Sequence, residues 1–355
     1  MTRPRSPRRI LGVALVLTWL GAALSGAQPT GQEPTDRHAE WRGRLIDDGR
    51  SVALEDSSGN DCLRCHQAIG EEWRHSTHAT AWQDEHYRKA LKKIRRKQGC
   101  WGCHAPEPLA AAGWPQSPKV READRHLGVT CTTCHLAADG ETMLGPAGHD
   151  NPAHPSQADV RFDEAQSNEL CISCHATTIG PVIGIAKDFV ASDQAGLGSS
   201  CVDCHMGRVT RAWSEPWETG IEPSPERRGR SHRIKTPRDP KFLASAFLLE
   251  ARGTEGGAEL VLSNQTGHRV PGLVDRTIAF KVSLLDADGE ELAKVERTFD
   301  TRAFLPVEEE VILELEASGS AKGKGVQLRV RGLHSPPGAK DTQVFLERSY
   351  QLEQR

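Results

Sequence analysis

The sequence predicts two architectures in one chain: short helices and loops that must pack around something other than their own side chains, followed by an antiparallel β-sandwich. Three observations predict this. Residues 62 to 205 hold only short apolar runs, too few for an ordinary core, yet carry five copies of Cys-x-x-Cys-His. The stretch from Arg208 to Arg230, RVTRAWSEPWETGIEPSPERRGR, is a Pro-rich connector. From about Ser245 the pattern changes to apolar residues at every second position with turns between.

The five copies are Cys62-Leu-Arg-Cys65-His66, Cys100-Trp-Gly-Cys103-His104, Cys131-Thr-Thr-Cys134-His135, Cys171-Ile-Ser-Cys174-His175 and Cys201-Val-Asp-Cys204-His205; they use all 10 cysteines. Chance predicts about 0.01 copies at this Cys and His content. Two thiols one helical turn apart can each add to a porphyrin vinyl group, and the following His can reach the iron. Disulfides or zinc fit less well. Neither needs a His after every second Cys, and zinc sites group four ligands, which five identical units do not supply evenly. The residues therefore predict five covalently attached haem c groups, with the five motif histidines as proximal ligands. The fold class follows: short helices and loops packed around five haems over residues 61–210, with the porphyrins as core.

The first residues set the compartment. Arg3, Arg5, Arg8 and Arg9 precede an apolar run from Ile10 to Leu24, and Ser25-Gly-Ala27 supplies small residues before Gln28. Residues 1–27 read as a secretory signal and 28–60 as a polar N-terminal arm. The expectation is an exported, periplasmic protein with no membrane span in the mature chain; an uncleaved N-terminal anchor is the other reading. Four Arg and no acid fall in residues 1–27, so removing them takes the formal charge from −3 to −7. Acidity of that size, with haem propionates added, argues against nucleic acid as a partner and leaves redox proteins. One basic run opposes the trend: Arg88, Lys89, Lys92, Lys93, Arg95, Arg96 and Lys97, with Leu91 and Ile94 between. It reads as a solvated helix whose cations neutralise propionates, or as a docking patch for an acidic redox partner.

In the C-terminal region, residues 245–355, Ile278, Phe280, Val282 and Leu284 alternate before Asp286-Ala-Asp-Gly289, a hairpin signal. Val311, Leu313 and Leu315 alternate next, then Val326, Leu328 and Val330, then Val344 and Leu346. This is the signature of a β-sandwich. It follows a connector taken as residues 211–244, and it offers a surface through which the protein could dock a partner.

The first motif continues into Trp73, Ser76 and His78 in the order WxxSxHA, which resembles the cytochrome c554 family of multihaem cytochromes. CWGCHAP, GVTCTTCH, LGPAGHDNPAHP and CVDCHM are similar to segments of that broader group, as are SHRI around His232 and NQTGHRVPG around His268. The resemblance spans about residues 60 to 290. It implies periplasmic electron transfer. Five haems and a long sandwich depart from the family's four-haem pattern.

Ligand arithmetic completes the reading. Of 15 His, five are proximal, which leaves ten for at most five distal positions; the 3 Met are poorly placed, Met1 in the signal, Met143 in a polar loop and Met206 beside His205. Most irons should therefore be bis-His, with lower potentials than Met/His haems. The WxxSxH resemblance points to His78, flanked by His75 and His86 without that match. His126 lies five residues before Cys131; His154 and His149 compete for one position, with His154 preferred; His232 and His268 complete the candidates. His38 and His334 read as surface residues. Gly267 and Pro271 would frame a turn holding the His268 imidazole outward from the sandwich edge, and Asn264-Gln-Thr266 reads as a coincidental glycosylation sequon. Electron carriage is the expected function. The alternative is a multihaem oxidoreductase with one open haem acting on a small nitrogen or sulfur compound. Every motif ends in His, and only Tyr87 and Tyr350 could supply the crosslinking tyrosine of hydroxylamine oxidoreductases.

Overall fold

The computed structural model describes residues 62–148, 154–162, 166–179, 182–216, 222–272, 276–317, 326–339 and 341–353. These all belong to one compact unit, His38–Arg355. The expected signal and arm, together with His38 and His149, lie outside the described residues. No helix among the described residues is long and apolar enough to cross a membrane.

The first half is a succession of short helices. They are α1 Cys62–Cys65, α2 Gln67–Arg74, α3 Glu85–Lys93, α4 Gln98–His104, α5 Leu109–Ala112, α6 Cys131–His135, α7 Asn168–His175, α8 Ala186–Val190, α9 Asp193–Gly196 and α10 Cys201–His205. Each motif lies on or at the end of one of them. The residues inside the motifs help start these helices. In α6 the Thr130 amide donates to the Thr133 hydroxyl at 3.2 Å, and in α10 the Ser200 amide donates to the Asp203 carboxylate at 2.9 Å. Both are reciprocal caps built from the variable positions of Cys-x-x-Cys. Asn168, at the start of α7, also accepts from the Cys201 amide at 2.8 Å, tying the fourth and fifth motifs together.

Two small sheets interrupt the helices. Strand β1 (Met143–Gly145) pairs in parallel with β2 (Ser156–Ala158), and β3 (Arg208–Ala212) pairs antiparallel with β4 (Glu226–Arg230). The second pair lies largely inside the stretch read as connector. After it, Asp239 caps α11 (Pro240–Ala244) by accepting from the Lys241 and Phe242 amides, with Pro240 at the first helical position.

The sandwich follows, as expected. Strands β5 (Phe247–Thr254), β6 (Gly257–Asn264) and β9 (Glu310–Glu316) form a sheet in the order β5-β6-β9. Strands β7 (Thr277–Leu285), β8 (Glu291–Phe299), β10 (Val326–Ser335) and β11 (Gln343–Leu352) form the other in the order β11-β10-β7-β8. Asp286 builds the β7–β8 turn by accepting from the Asp288 and Glu290 amides, each at 2.9 Å. Side chains from both sheets meet in one core, with Phe247 of β5 edge-on to Phe280 of β7 at 4.9 Å. Every buried member of that core cluster comes from Leu243 onward.

The structure corrects two expectations here. Val344 and Leu346 do not share a face: a register shift between Gly332 and Leu333 leaves Val344 exposed and buries Phe345 and Leu346. His334 is no surface residue. It is 1% exposed on β10, where its Nε2 accepts from the Arg276 guanidinium at 3.1 Å. Burial and the nearby Arg276 and Arg238 charges hold its pKa down at about 4.

Candidate haem-binding cavity

The helices and the sandwich edge line one cavity of about 1990 Å³ that contains all five motifs. A site for one small molecule is roughly 300–1,000 Å³, so this space suits several large groups. Its walls are largely apolar, and Arg208, Arg211, Arg230, Arg238 and Arg276 are among the cations on them.

Four of the five motif imidazoles are fixed through Nδ1. His66 faces the Trp213 carbonyl at 2.5 Å, His104 that of Ala81 at 2.7 Å, His135 that of Leu144 at 2.7 Å and His205 that of Lys235 at 2.8 Å. A carbonyl only accepts, so Nδ1 donates its proton there and Nε2 keeps its lone pair for a metal.

A second imidazole faces four of the five. Ring centres are 6.4 Å apart for His66 and His154, 6.3 Å for His78 and His175, 6.1 Å for His135 and His232, and 6.4 Å for His205 and His268. Two imidazoles on opposite sides of one metal, each with a bond of about 2.0–2.1 Å, place ring centres about 6.3 Å apart. The residues therefore fit haem iron held between paired histidines. His232 and His268 repeat the tautomer device, with Nδ1 on the carbonyls of Arg230 at 3.1 Å and Arg269 at 2.9 Å. Burial first, and neighbouring imidazoles second, lower the pKa of His78 and of His232 to about 4, which keeps both neutral, the form able to ligate a metal.

The segments carrying His78, His232 and His268 are each held by contacts from outside the cavity. Gly128, at φ 64°, lets the segment entering the third motif lie against the His78 backbone, whose carbonyl accepts from the Val129 amide at 3.0 Å; a side chain there would collide with that carbonyl. Glu72 accepts from both ends of the Arg211 guanidinium, at 2.5 and 2.9 Å, and from the His232 amide at 2.8 Å. Burial alone would raise the Glu72 pKa; the bonds to Arg211 and His232 outweigh it and lower it.

At the sandwich edge, Arg269 grips Asp188 of α8 through Nε at 2.5 Å, Nη2 at 2.8 Å and its amide at 3.2 Å. Gly267 lies so close to Phe189 that a Cβ would come within 2.5 Å of the ring. Asn264, only 4% exposed, braces the same loop by donating to the carbonyls of His268 and Pro306, so the sequon asparagine is structural.

The second motif differs. Among the described residues no imidazole faces His104 at that separation; instead the Tyr87 ring stacks on it at 3.6 Å and 3°. The Tyr87 hydroxyl is buried without a hydrogen-bond partner among the described residues, and burial raises its pKa. His126 is left out of the paired set. It stands exposed in the turn Arg125–Leu127, where Leu127 is the residue that turns inward. His154 faces His66, and His149, its alternative, lies outside the described residues. Tyr350 packs against the sandwich core, away from the motifs. Sequence reasoning missed the clamps Glu72, Arg211, Asp188 and Arg269, whose partners are remote in sequence.

The cysteines are all free thiols, and thiols of different motifs lie within interaction reach of one another: Cys62 of Cys131, Cys103 of Cys174, and Cys171 of Cys201. The third motif's Cys134 also lies within electrostatic reach of Cys171 and Cys174.

A family described as cytochrome c554 and c-prime matches residues 61–136. A solved structure similar to the chain is a penta-heme cytochrome c552 from Thermochromatium tepidum, with 17% identity, 83% of this chain and 98% of that one covered, and a TM-score of 0.58. That likeness shows the fold. A glycosyl hydrolase family 2 member from Bacteroides cellulosilyticus aligns over 30% of this chain and 13% of its own at 15% identity, with a TM-score of 0.19. No curated protein matches.

Proposed function

We propose that this chain, a multihaem c-type cytochrome whose first motifs resemble the cytochrome c554 family, is an exported, periplasmic pentahaem electron carrier. Five haem c groups would be attached at the five Cys pairs, with His66, His104, His135, His175 and His205 as proximal ligands and His154, His232, His78 and His268 as distal ligands to the first, third, fourth and fifth. The observation that carries this is the set of four imidazole pairs with ring centres 6.1 to 6.4 Å apart. Haem supplies one-electron chemistry; the chain supplies ligation, burial and spacing. Paired imidazoles favour ferric iron more than Met/His ligation does, so the potentials should be low.

The thiol contacts support a branched order. The first site adjoins the third, the third adjoins the fourth, and the fourth adjoins both the second and the fifth. The second and fifth are then the ends of two branches.

One observation favours a second reading at a single site. With Tyr87 against His104 and no imidazole opposite among the described residues, the second site would leave one iron position open to a small nitrogen or sulfur compound. The test is a pyridine haemochrome count with electron paramagnetic resonance and carbon monoxide titration. Five haems are expected, four of them low-spin, with carbon monoxide binding at one. Fewer than four haems, or carbon monoxide at several, would overturn the relay reading; turnover of nitrite or hydroxylamine would promote the second reading to the main one.

A further inference from the structure

The basic run is laid out over the second site in a way the relay reading does not explain. From residue 86 to residue 106 the chain has no Asp or Glu, while Arg88, Lys89, Lys92, Lys93, Arg95, Arg96 and Lys97 are all exposed. Helix α3 buries Tyr87 and Leu91. Its opposite face stacks Arg88 over Lys92 and Lys89 over Lys93, like charges one turn apart, an arrangement that weakens a helix by itself. Only Lys89 has an ion-pair partner among the described residues, Glu85 at 2.6 Å. Neutralising haem carboxylates accounts for Arg96, which lines the cavity, and not for the cations that face solvent.

Beside these cations lies an aromatic group that reaches inward. Arg88 sits 5.6 Å above Trp82, and Arg125 sits 5.7 Å above Trp82 and 5.2 Å above Trp101. Trp82 is 6.1 Å from Tyr87, which stacks on His104 at 3.6 Å. Half-buried tryptophans capped by arginine and rimmed by lysine have the composition of a protein-binding hot spot rather than of a plain solvated helix. The surface thus reaches through Tyr87 to the histidine of the second motif.

We propose that the surface of Trp82, Trp101, Arg88 and Arg125, rimmed by Lys92 and Lys93, docks an acidic one-electron redox protein that exchanges electrons with the haem at His104. Each encounter moves one electron: the donor is oxidised by one equivalent as one ferric haem becomes ferrous, and no bond forms or breaks. Positive charge at the rim steers the encounter and makes it depend on salt. The inference rests on the relay reading, and the experiment separates the two.

The holoprotein with Lys92→Glu and Lys93→Glu is compared with wild type and with a control of equal charge change on the sandwich, Lys281→Glu and Lys294→Glu. Reduced flavodoxin, an acidic flavoprotein, is the probe in stopped flow, with dithionite as a small reductant. The patch variant should lose about 10-fold or more of the second-order rate with flavodoxin at low ionic strength, the loss closing in high salt. The control should change far less, and dithionite reduction of all haems should be unaltered. Equal slowing of patch and control variants would overturn the inference and leave the relay intact. So would unchanged flavodoxin rates alongside lost binding to phosphatidylglycerol vesicles, which would make the patch a lipid site. If the double reversal fails to yield holoprotein, Lys92→Gln with Lys93→Gln carries the same comparison at reduced amplitude.

Discussion

The sandwich and the motif-bearing region bury their side chains by different means. In the sandwich, Phe280, Phe299, Ile278, Leu260 and Leu328 have no measurable exposure and belong to one contiguous cluster. In the region from residue 62 to residue 205 the buried apolar residues, such as Leu63, Leu91, Leu109 and Phe189, are scattered and form no part of that cluster. What they surround is the large cavity. One region is held by side chains that the hydrophobic effect drives together. The other encloses open space, and on the proposed reading it would be organised by covalent and coordinate bonds to haem, with the loop carrying His268 as the junction.

The sharpest way to break this comparison is to remove one haem anchor. Cys131→Ser with Cys134→Ser takes away the third Cys pair, whose thiols lie within interaction reach of those of the first and fourth motifs. We expect loss of nearly all holoprotein on expression, while a sandwich variant with an intact motif set still accumulates five haems. Normal yield of a four-haem protein would show that the region has a core of its own.

Next in size is Phe280→Ala. The ring has no exposure and packs against Phe247, Phe299 and Phe345, so the variant should lose about 3–5 kcal/mol. Denaturant unfolding followed by far-ultraviolet circular dichroism measures this. The first, third and fourth haems should keep low-spin spectra through the sandwich transition, because their paired imidazoles all lie before the sandwich.

How far the sequence alone could reach divides along the same line. The motif residues were legible because Cys, Cys and His are neighbours in sequence and their chemistry is local. The four histidines that face motif histidines were reachable by elimination and resemblance, although nothing near His154 or His232 states which motif ring it will face. His126 was singled out by its closeness in sequence to Cys131, which says nothing of which way a short turn points its side chain, and it stands exposed. His334 failed because a buried His paired with Arg276 leaves no signal beyond an alternating strand. The β3–β4 pair was invisible for a related reason. Its residues are mostly charged, and it is held by contacts such as Arg211 with Glu72 and the Trp213 carbonyl with His66 rather than by a periodic apolar face.

His268→Ala tests the junction itself. One haem of five should become high-spin and reactive with carbon monoxide while covalent attachment stays at five. An unchanged low-spin spectrum would mean that the 6.4 Å pairing with His205 is not ligation.

The smallest expected effect comes from the clamp behind that histidine, and its sign with pH is fixed. The side-chain bonds from Arg269 hold the Asp188 carboxyl below its usual range, against burial, which would raise it. A carboxylate whose folded pKa is depressed contributes stability above its unfolded pKa, about 3.9, and loses it as pH falls through the lower folded value. Asp188→Asn should therefore cost about 1–3 kcal/mol at neutral pH, loosening the turn that presents His268. The readout is the high-spin fraction of the fifth haem against pH, with His268→Ala as the upper limit. The difference between wild type and Asp188→Asn should be full at pH 7, shrink below about pH 4 and vanish once the wild-type carboxyl is protonated. A difference that persists or grows on acidification would show that Asp188 acts through packing alone. The fifth site would then be positioned by the Gly267–Phe189 contact and the Asn264 brace rather than by the ion pair.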